Sequence, residues 1–426
     1  MRGSRIIIVV ALLGLWPGPA TPSEPVAQPA SEDVFEKQLM SGQAWAEFCD
    51  RMKALGQEIS GDQYPGDPLA RAEGVRHLAR MMVLGVQWRL EAANPDFPIF
   101  VRHDDDLTQW GGPNVDNTYL RASIDGVSTY RIDGNVTGLH NLIISAGEAD
   151  MHEGKFTIRG DLDLSQLKVD KTGHFDLILS PTKHDGNWLQ TDPAVTFVSI
   201  RTYYYDWAKS HPGEFHIVKV GNEGMASPRI TPAQVSRGLT RAADWVETGV
   251  RYWNDYLRKR RESFGEDNKL SPPGSVAGGS ADIVYGGGWF NLAEDEALII
   301  ESSVPKAPYW GLQYYTPGWF EAPDYANRVT SLNGAQAHVD HDGKVRWVVA
   351  HRDPGVQNWI DTEGRQQGYL TYRWIWTKDR TQPQAKLVKF ADVKKNLPAD
   401  TPAFSAAQRR DQVMTRRRHV ERRFHQ

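Results

Sequence analysis

A single cysteine, Cys49, stands among 426 residues, so no intrachain disulfide framework can form. Charge of one sign is equally scarce: 49 Lys and Arg against 53 Asp and Glu leave a formal −4, too little for a global field that gathers nucleic acid. After the first twenty residues no apolar run approaches the roughly 20 residues that a membrane-spanning helix needs. Familiar catalytic signatures are missing too. No Gly-X-Ser-X-Gly occurs, which disfavours a serine-elbow hydrolase, and Gly286-Gly287-Gly288 lacks the Lys-Ser/Thr of a phosphate loop. His103-Asp104-Asp105-Asp106 and His338, Asp340, His341 and Asp342 hold metal-ligating types without zinc or calcium-loop spacing, so neither a metal nor a cofactor is expected. What is present is an ordinary folded balance, 40% apolar with 15 Trp, long enough for one large or two medium domains.

The N-terminus reads as an address. Arg2 and Arg5 precede the apolar run Ile6 to Trp16, and Pro17-Gly18-Pro19-Ala20 makes a small-residue exit suited to a signal peptidase. The expected organisation is a signal peptide at 1–20, a flexible leader at 21–34, a helical region at 35–93, a first β unit at 94–225, a long helix and Gly/Pro/Ser-rich linker at 226–280, a second β unit at 281–400 and a basic tail at 401–426. Such a chain is exported, periplasmic or secreted, where a lone thiol is best kept buried. Trp45, Phe48, Met52 and Leu55, at 3–4-residue spacing beside Cys49, read as a core-facing helix stripe. Tyr64-Pro65-Gly66-Asp67-Pro68 divides the helical region in two, and the second helix carries Leu69, Leu78, Met81, Gly85 and Trp88. Thr231-Pro232 caps a long amphipathic helix with Leu239, Ala243, Val246, Val250, Trp253 and Leu257 on one face. The tail gathers seven Arg against Asp411 and Glu421; it reads as a solvated or frayed helix or, alternatively, as a weak contact with an anionic membrane or envelope surface.

An internal repeat organises the rest. Val169 to Ser180 lies over Val339 to Ala350 without a gap, each with a Val-Asp, a Gly turn and an apolar strand. Asn187-Trp188 and Asn358-Trp359 follow, and Arg201 and Arg373 then stand in the next apolar strand. Upstream, Tyr130 to Gly134 and Leu298 to Ser302 occupy comparable places. The expected fold is therefore mainly β with α additions (α+β): two related antiparallel β-sandwich-like units, N-terminal helices, and one long helix between the units.

Tyr309-Trp310-Gly311-Leu312-Gln313, Asp324-Tyr325-Ala326-Asn327-Arg328, Ser331-Leu332-Asn333 and His351-Arg352-Asp353-Pro354-Gly355 with Asn358-Trp359-Ile360-Asp361-Thr362 resemble the Domain of Unknown Function 1214 family over about Ala281 to Trp376. The segment from Asn187-Trp188 to Asp206-Trp207 resembles the upstream half of its longer members. The resemblance implies a β-rich, often exported protein and carries no catalytic residue with it.

Candidate site residues are therefore weighed on their chemistry. His351, Arg352 and Asp353 before a Pro-Gly turn place a base, a cation and a carboxylate together: His351 as general base, Asp353 as its orienting carboxylate, and Arg373 or Arg328 as anchor. Hydrolysis by His351 with Asp353 or Asp361 is one expectation, and locking of the loop by turn hydrogen bonds is the structural alternative. Arg201 and Arg373 sit inside apolar strands, so each needs a carboxylate from the protein or a ligand, with Asp206 and Asp361 as available protein partners. If read as a strand, Asp324 to Arg328 would place Tyr325 and Asn327 on the face opposite Arg328. Trp310, Tyr325 and Trp359 belong to an aromatic crowd in the second unit that suits a small or oligomeric polar or aromatic ligand such as a carbohydrate. The ligand-binding set is thus Arg328, Asn358, Trp359, Arg373, Tyr325 and Trp310, with Arg201 and Asn187 as first-unit counterparts. The alternative class is a non-catalytic envelope structural or interaction protein. A deep pocket joining the Asn-Trp/Arg segments favours the first class, and a flat aromatic face the second.

Overall fold

The computed structural model describes residues 31–275 and 283–425. The expected signal peptide and most of the leader lie outside the described residues, as does the Gly-rich end of the linker. The chain starts with α1 (Glu32–Met40), α2 (Gln43–Glu58) and α3 (Pro68–Val86). The first region is thus three helices rather than two, because Gly42 at φ 80° breaks α1 from α2. Asp67 caps α3 by accepting from the Ala70 N–H at 3.0 Å, with Pro68 in the first turn. The buried stripe of α2 is Ala44, Phe48, Met52 and Leu55, the expected stripe with Ala44 in place of Trp45. Trp45, at 60% exposure, and Cys49 therefore lie outside it, and Leu69 likewise faces out.

The first unit comprises β1 (Val101–Asp104), β2 (Asn117–Ser123), β3 (Tyr130–Asn135), β4 (Asn141–Gly147), β5 (Ile158–Asp163), β6 (His174–Ser180), β7 (Trp188–Gln190), β8 (Phe197–Tyr203) and β9 (Glu214–Lys219). One sheet has the order β1-β2-β8-β4-β5, and the other β7-β6-β3-β9. Their facing residues, among them Leu142, Ile144, Val198 and Ile200 against Ile132, Leu177 and Leu179, form one core. α4 (Pro232–Phe264) follows, with Thr231 accepting from the Gln234 N–H in a reciprocal cap and Trp253 and Leu257 on its buried face.

The second unit comprises β10 (Ile283–Asn291), β11 (Glu296–Ser303), β12 (Tyr309–Tyr315), β13 (Ser331–Asn333), β14 (Lys344–Ala350), β15 (Trp359–Asp361), β16 (Gln367–Ile375) and β17 (Gln384–Lys389). Its sheets run β10-β16-β12-β13 and β15-β14-β11-β17. Strand for strand this is the order of β2 to β9, so the repeat read in the sequence is a repeat of topology. Even the exceptions match. β6 pairs with β7 in parallel, Ile178 opposite Trp188, and β14 pairs with β15 in parallel, Val348 opposite Trp359, so neither unit is purely antiparallel.

α5 (Ala406–Phe424) ends the described chain. It is an ordered, half-buried helix rather than a frayed one, because Arg409, Arg416 and Arg423 recur every seven residues on its inner face. Arg416 donates to the Tyr325 and Ser331 carbonyls at 2.9 Å each, and Arg423 donates to the Val115 and Asn117 carbonyls at 3.0 and 3.1 Å. The helix thereby ties the second unit to the first. Among the described residues no helix is long and apolar enough to cross a membrane.

Candidate functional site

A strand presents alternate residues to opposite faces. In β8, Val198 and Ile200 enter the core of the first sandwich, so Phe197, Ser199, Arg201 and Tyr203 face away from it. In β16, Leu370, Tyr372 and Trp374 enter the second core, so Tyr369, Thr371, Arg373 and Ile375 face away. These two outward faces line one cavity of about 410 Å³ between the units. Trp253 and Tyr256 of α4 close part of its wall, together with Phe320. Gly112, at φ +69°, forms another part, where a Cβ would stand 2.3 Å from the Phe320 ring.

The repeat puts an arginine in each copy at the same place. Arg201 lies opposite Tyr119 of β2, and Arg373 lies opposite Tyr285 of β10. Each guanidinium also sits over that tyrosine ring, at 5.3 and 5.6 Å from its centroid. Arg373 donates to the Gly112 carbonyl at 3.3 Å and to the Tyr315 hydroxyl. The expected protein partners are engaged elsewhere: Asp206 pairs with Lys209 at 2.9 Å, and Asp361 with Arg328 at 2.9 Å. Neither arginine forms an ion pair with a carboxylate among the described residues, and their surroundings are phenolic. Burial opposes the charge on both, and the phenol oxygens of Tyr203 and Tyr119 around Arg201, and of Tyr315 and Tyr285 around Arg373, hold it in place. Burial also pushes the Tyr119 and Tyr203 phenols up, so they offer dipoles and no negative charge at neutral pH. Thr371 Oγ1 has no hydrogen-bond partner among the described residues. Such a cavity can receive an anion at its arginine end and an apolar body against Trp253, Phe320 and Tyr369.

The other sequence-predicted residues do not line this cavity. His351 Nδ1 meets Thr362 Oγ1 at 2.6 Å and its Nε2 meets the Leu292 carbonyl at 3.3 Å, so both ring nitrogens have protein partners. Asp353 accepts from the Gly355 N–H at 2.8 Å and from Arg409 at 3.0 Å. Asn358 accepts from the His338 N–H at 2.6 Å and donates to the His338 carbonyl at 2.7 Å. Asn187 makes the same clamp on Lys168, at 2.7 and 3.0 Å. The indole N–H of Trp359 donates to the Ala350 carbonyl at 3.0 Å and that of Trp188 to the Ser180 carbonyl at 3.1 Å. The crevice beside Asn358 is about 10 Å³, room for one water at most. Tyr325 and Trp310 are buried. Asp324 to Arg328 is a turn rather than a strand, with Asp324 accepting from the Asn327 N–H at 3.0 Å. The expected set therefore divides: Arg201 and Arg373 meet across a cavity, and the rest sit in contacts within their own unit or, for Asp353 and Tyr325, with α5 as well.

Two cavity residues, His103 and Asp104, stand out in the sequence only as metal-ligating types. His103 Nδ1 meets Asp104 Oδ2 at 2.7 Å. Asp150 lines the cavity as well, but its oxygens are taken by Arg121, by Arg89 at 2.9 Å and by the Trp245 indole N–H at 2.8 Å.

None of the curated proteins matches the chain. A crystal structure of an uncharacterized protein from Burkholderia cenocepacia is similar to it at 32% identity, over 84% of this chain and all 100% of that one, with a TM-score of 0.78. A protein from Vibrio parahaemolyticus is similar at 10% identity, over 74% and 98% of the two chains, with a TM-score of 0.43, too distant to bear on the fold. Residues 287–379, which contain Phe320 and the β16 wall of the cavity, match the model described as "Protein of unknown function (DUF1214)". The chain belongs to the DUF1214 family.

Proposed function

We propose that the cavity between the units binds a small organic anion with an apolar, ring-compatible body. The observation that carries this reading is the pair Arg201 and Arg373, a half-buried and a buried guanidinium facing one cavity, each against phenols and neither ion-paired with a carboxylate among the described residues. Leaving charge so enclosed without a counter-charge is costly, and a bound carboxylate, sulfate or phosphate group offsets that cost with charge-assisted hydrogen bonds. The volume of about 410 Å³ falls within the range of small-molecule sites. Burial of Trp310, Tyr314, Trp319, Trp347 and Trp374 leaves those rings no part in a flat assembly surface, which supports ligand binding over an envelope scaffold. On the sequence of residues 1–20 the protein acts after export; intact-mass measurement of exported material is expected to show those residues removed.

The test is a thermal-shift panel of aryl carboxylates, sulfates and phosphates, each beside its uncharged amide or alcohol. Anions are expected to raise the melting temperature and their neutral counterparts not to. Arg201→Met and Arg373→Met are each expected to weaken binding at least tenfold. Equal response to neutral counterparts, or full binding by both variants, would overturn the reading.

A further inference from the structure

Among the described residues no strand of the second unit stands where β1 does, and β1 carries a device of its own. Its pairing with β2 slips: Arg102 faces Leu120 and Asp104 faces Tyr119, which leaves His103 as the extra residue of a bulge. In a regular strand residues 103 and 104 would point to opposite faces. The bulge re-aims one of them, so both line the cavity and meet each other. The ring of His103 is fixed by stacking on Trp88 at 4.5 Å between centroids and by the edge contact of Trp110 at 4.9 Å. Asp104 is buried and held by the Trp110 backbone N–H. In the neutral ring the carboxylate facing Nδ1 favours the hydrogen there, which leaves Nε2 with its lone pair. No described residue hydrogen-bonds that Nε2. The charged and titratable groups around the ring are Asp104 and Asp105 on its own segment, Tyr119 from β2, and Asp150 with its arginines. The ring of Tyr119 links this device to the anion clamp: His103 is 5.8 Å from it between centroids, and the Arg201 guanidinium is 5.3 Å from it.

We propose that His103, oriented by Asp104, is the proton acceptor of this cavity, and that its ligand class is a hydroxylated aromatic acid whose anionic group lies on Arg201 and Arg373 and whose hydroxyl meets His103 Nε2. In the step the O–H bond breaks, its proton goes to Nε2, and its electron pair stays on oxygen. The imidazolium so formed keeps its Nδ1 hydrogen on Asp104, whose charge stabilises it. No further reactant enters. The inference rests on the anion-binding reading above.

The probe is 4-hydroxy-3-nitrophenylacetate, which absorbs visible light as the phenolate and not as the phenol. It is titrated with the full chain below the probe's own midpoint, with affinity read by calorimetry and protonation by absorbance. The wild type is expected to bind it with at least tenfold more phenolate in the bound than in the free fraction. His103→Gln and Asp104→Asn are each expected to lose most of that band, whatever affinity they keep, and Arg373→Met to lose binding. Binding without the band, or a band that persists in His103→Gln, overturns the proton-acceptor role and leaves the clamp standing. Failure of this probe where other aryl anions bind overturns the ligand class alone, and failure of every anion overturns the clamp and this inference together.

Discussion

The two β units share one strand order and one set of internal clamps, yet they treat their surroundings differently. In the first unit the Asn187-Trp188 loop is half exposed. In the second, Arg409 of α5 covers its equivalent by donating to Asp353 and to the Val356 and Gln357 carbonyls. The residues that recur most visibly, Asn-Trp and the Val-Asp turn, hold each copy together. The face that lines the cavity is the one left over after each sandwich has closed its core, and it becomes a cavity only where the two units meet. Duplication thus supplied a pair of arginines, and β1, present in one copy only among the described residues, supplied the asymmetry.

The largest expected effect concerns α5. Arg416→Ala would leave the Tyr325 and Ser331 carbonyls and Ser331 Oγ unpartnered beneath the helix, and we expect a loss of about 3–5 kcal/mol in urea unfolding. A loss below about 1 kcal/mol would mean that the second unit closes without its cover. Acid is expected to act next, and on the first-unit side. Burial lowers His152 to about 4 and lowers His419, which packs against Tyr204 and Trp207, to about 2. Both are neutral when folded, whereas the unfolded chain takes up protons near 6.5. Stability is therefore full above that value and falls as pH drops through it, by about 3 kcal/mol from His152 on reaching pH 4. His152→Phe should flatten this slope in denaturation measured from pH 7 to pH 4.

The clamps offer a direct comparison of copies. Asn358→Ala removes two hydrogen bonds to the His338 backbone and Asn187→Ala removes two to the Lys168 backbone and one to the Asp176 carbonyl, but Asn358 is buried at 6% exposure and Asn187 is not. We expect about 2–3 kcal/mol for the first and about 1 kcal/mol for the second. Equal losses would show that the cover over the second unit adds nothing to its clamp.

Much of the architecture was legible because it is written locally. The gap-free match of Val169 to Ser180 on Val339 to Ala350 held register as well as pattern, and the Thr231-Pro232 cap placed α4. Arg201 and Arg373 were legible as charges in need of a partner. Which partner was not, because Asp206 and Asp361 are close in sequence while their ion pairs with Lys209 and Arg328 depend on turn geometry. His103 was hidden for another reason. Without the bulge its side chain and that of Asp104 belong to opposite faces, and a one-residue slip in pairing leaves no trace in composition. The His351-Arg352-Asp353 loop showed the opposite hazard: its chemistry-bearing types lie together in sequence, and each has a partner inside its own unit.

The smallest expected effect has an unusual sign. Arg346 and Arg373 both lie in second-unit strands, but Arg346 meets Glu301 at 2.7 Å, Asp340 at 2.6 Å and Asp342 at 2.7 Å. Arg346→Met would leave Asp340 and Asp342 without that cation, Glu301 keeping Lys344, and is expected to lower stability by about 1–2 kcal/mol. Arg201→Met removes a charge that has no carboxylate beside it and keeps the apolar stem over Tyr119. It is expected to leave stability unchanged or to raise it by up to about 1 kcal/mol, because the half-buried charge costs the fold without a ligand. Thermal unfolding in ligand-free buffer reads the sign. If Arg201→Met is instead as destabilising as Arg346→Met, then the phenols already satisfy the guanidinium, its charge belongs to the fold, and the case for an anion between the two units loses its main support.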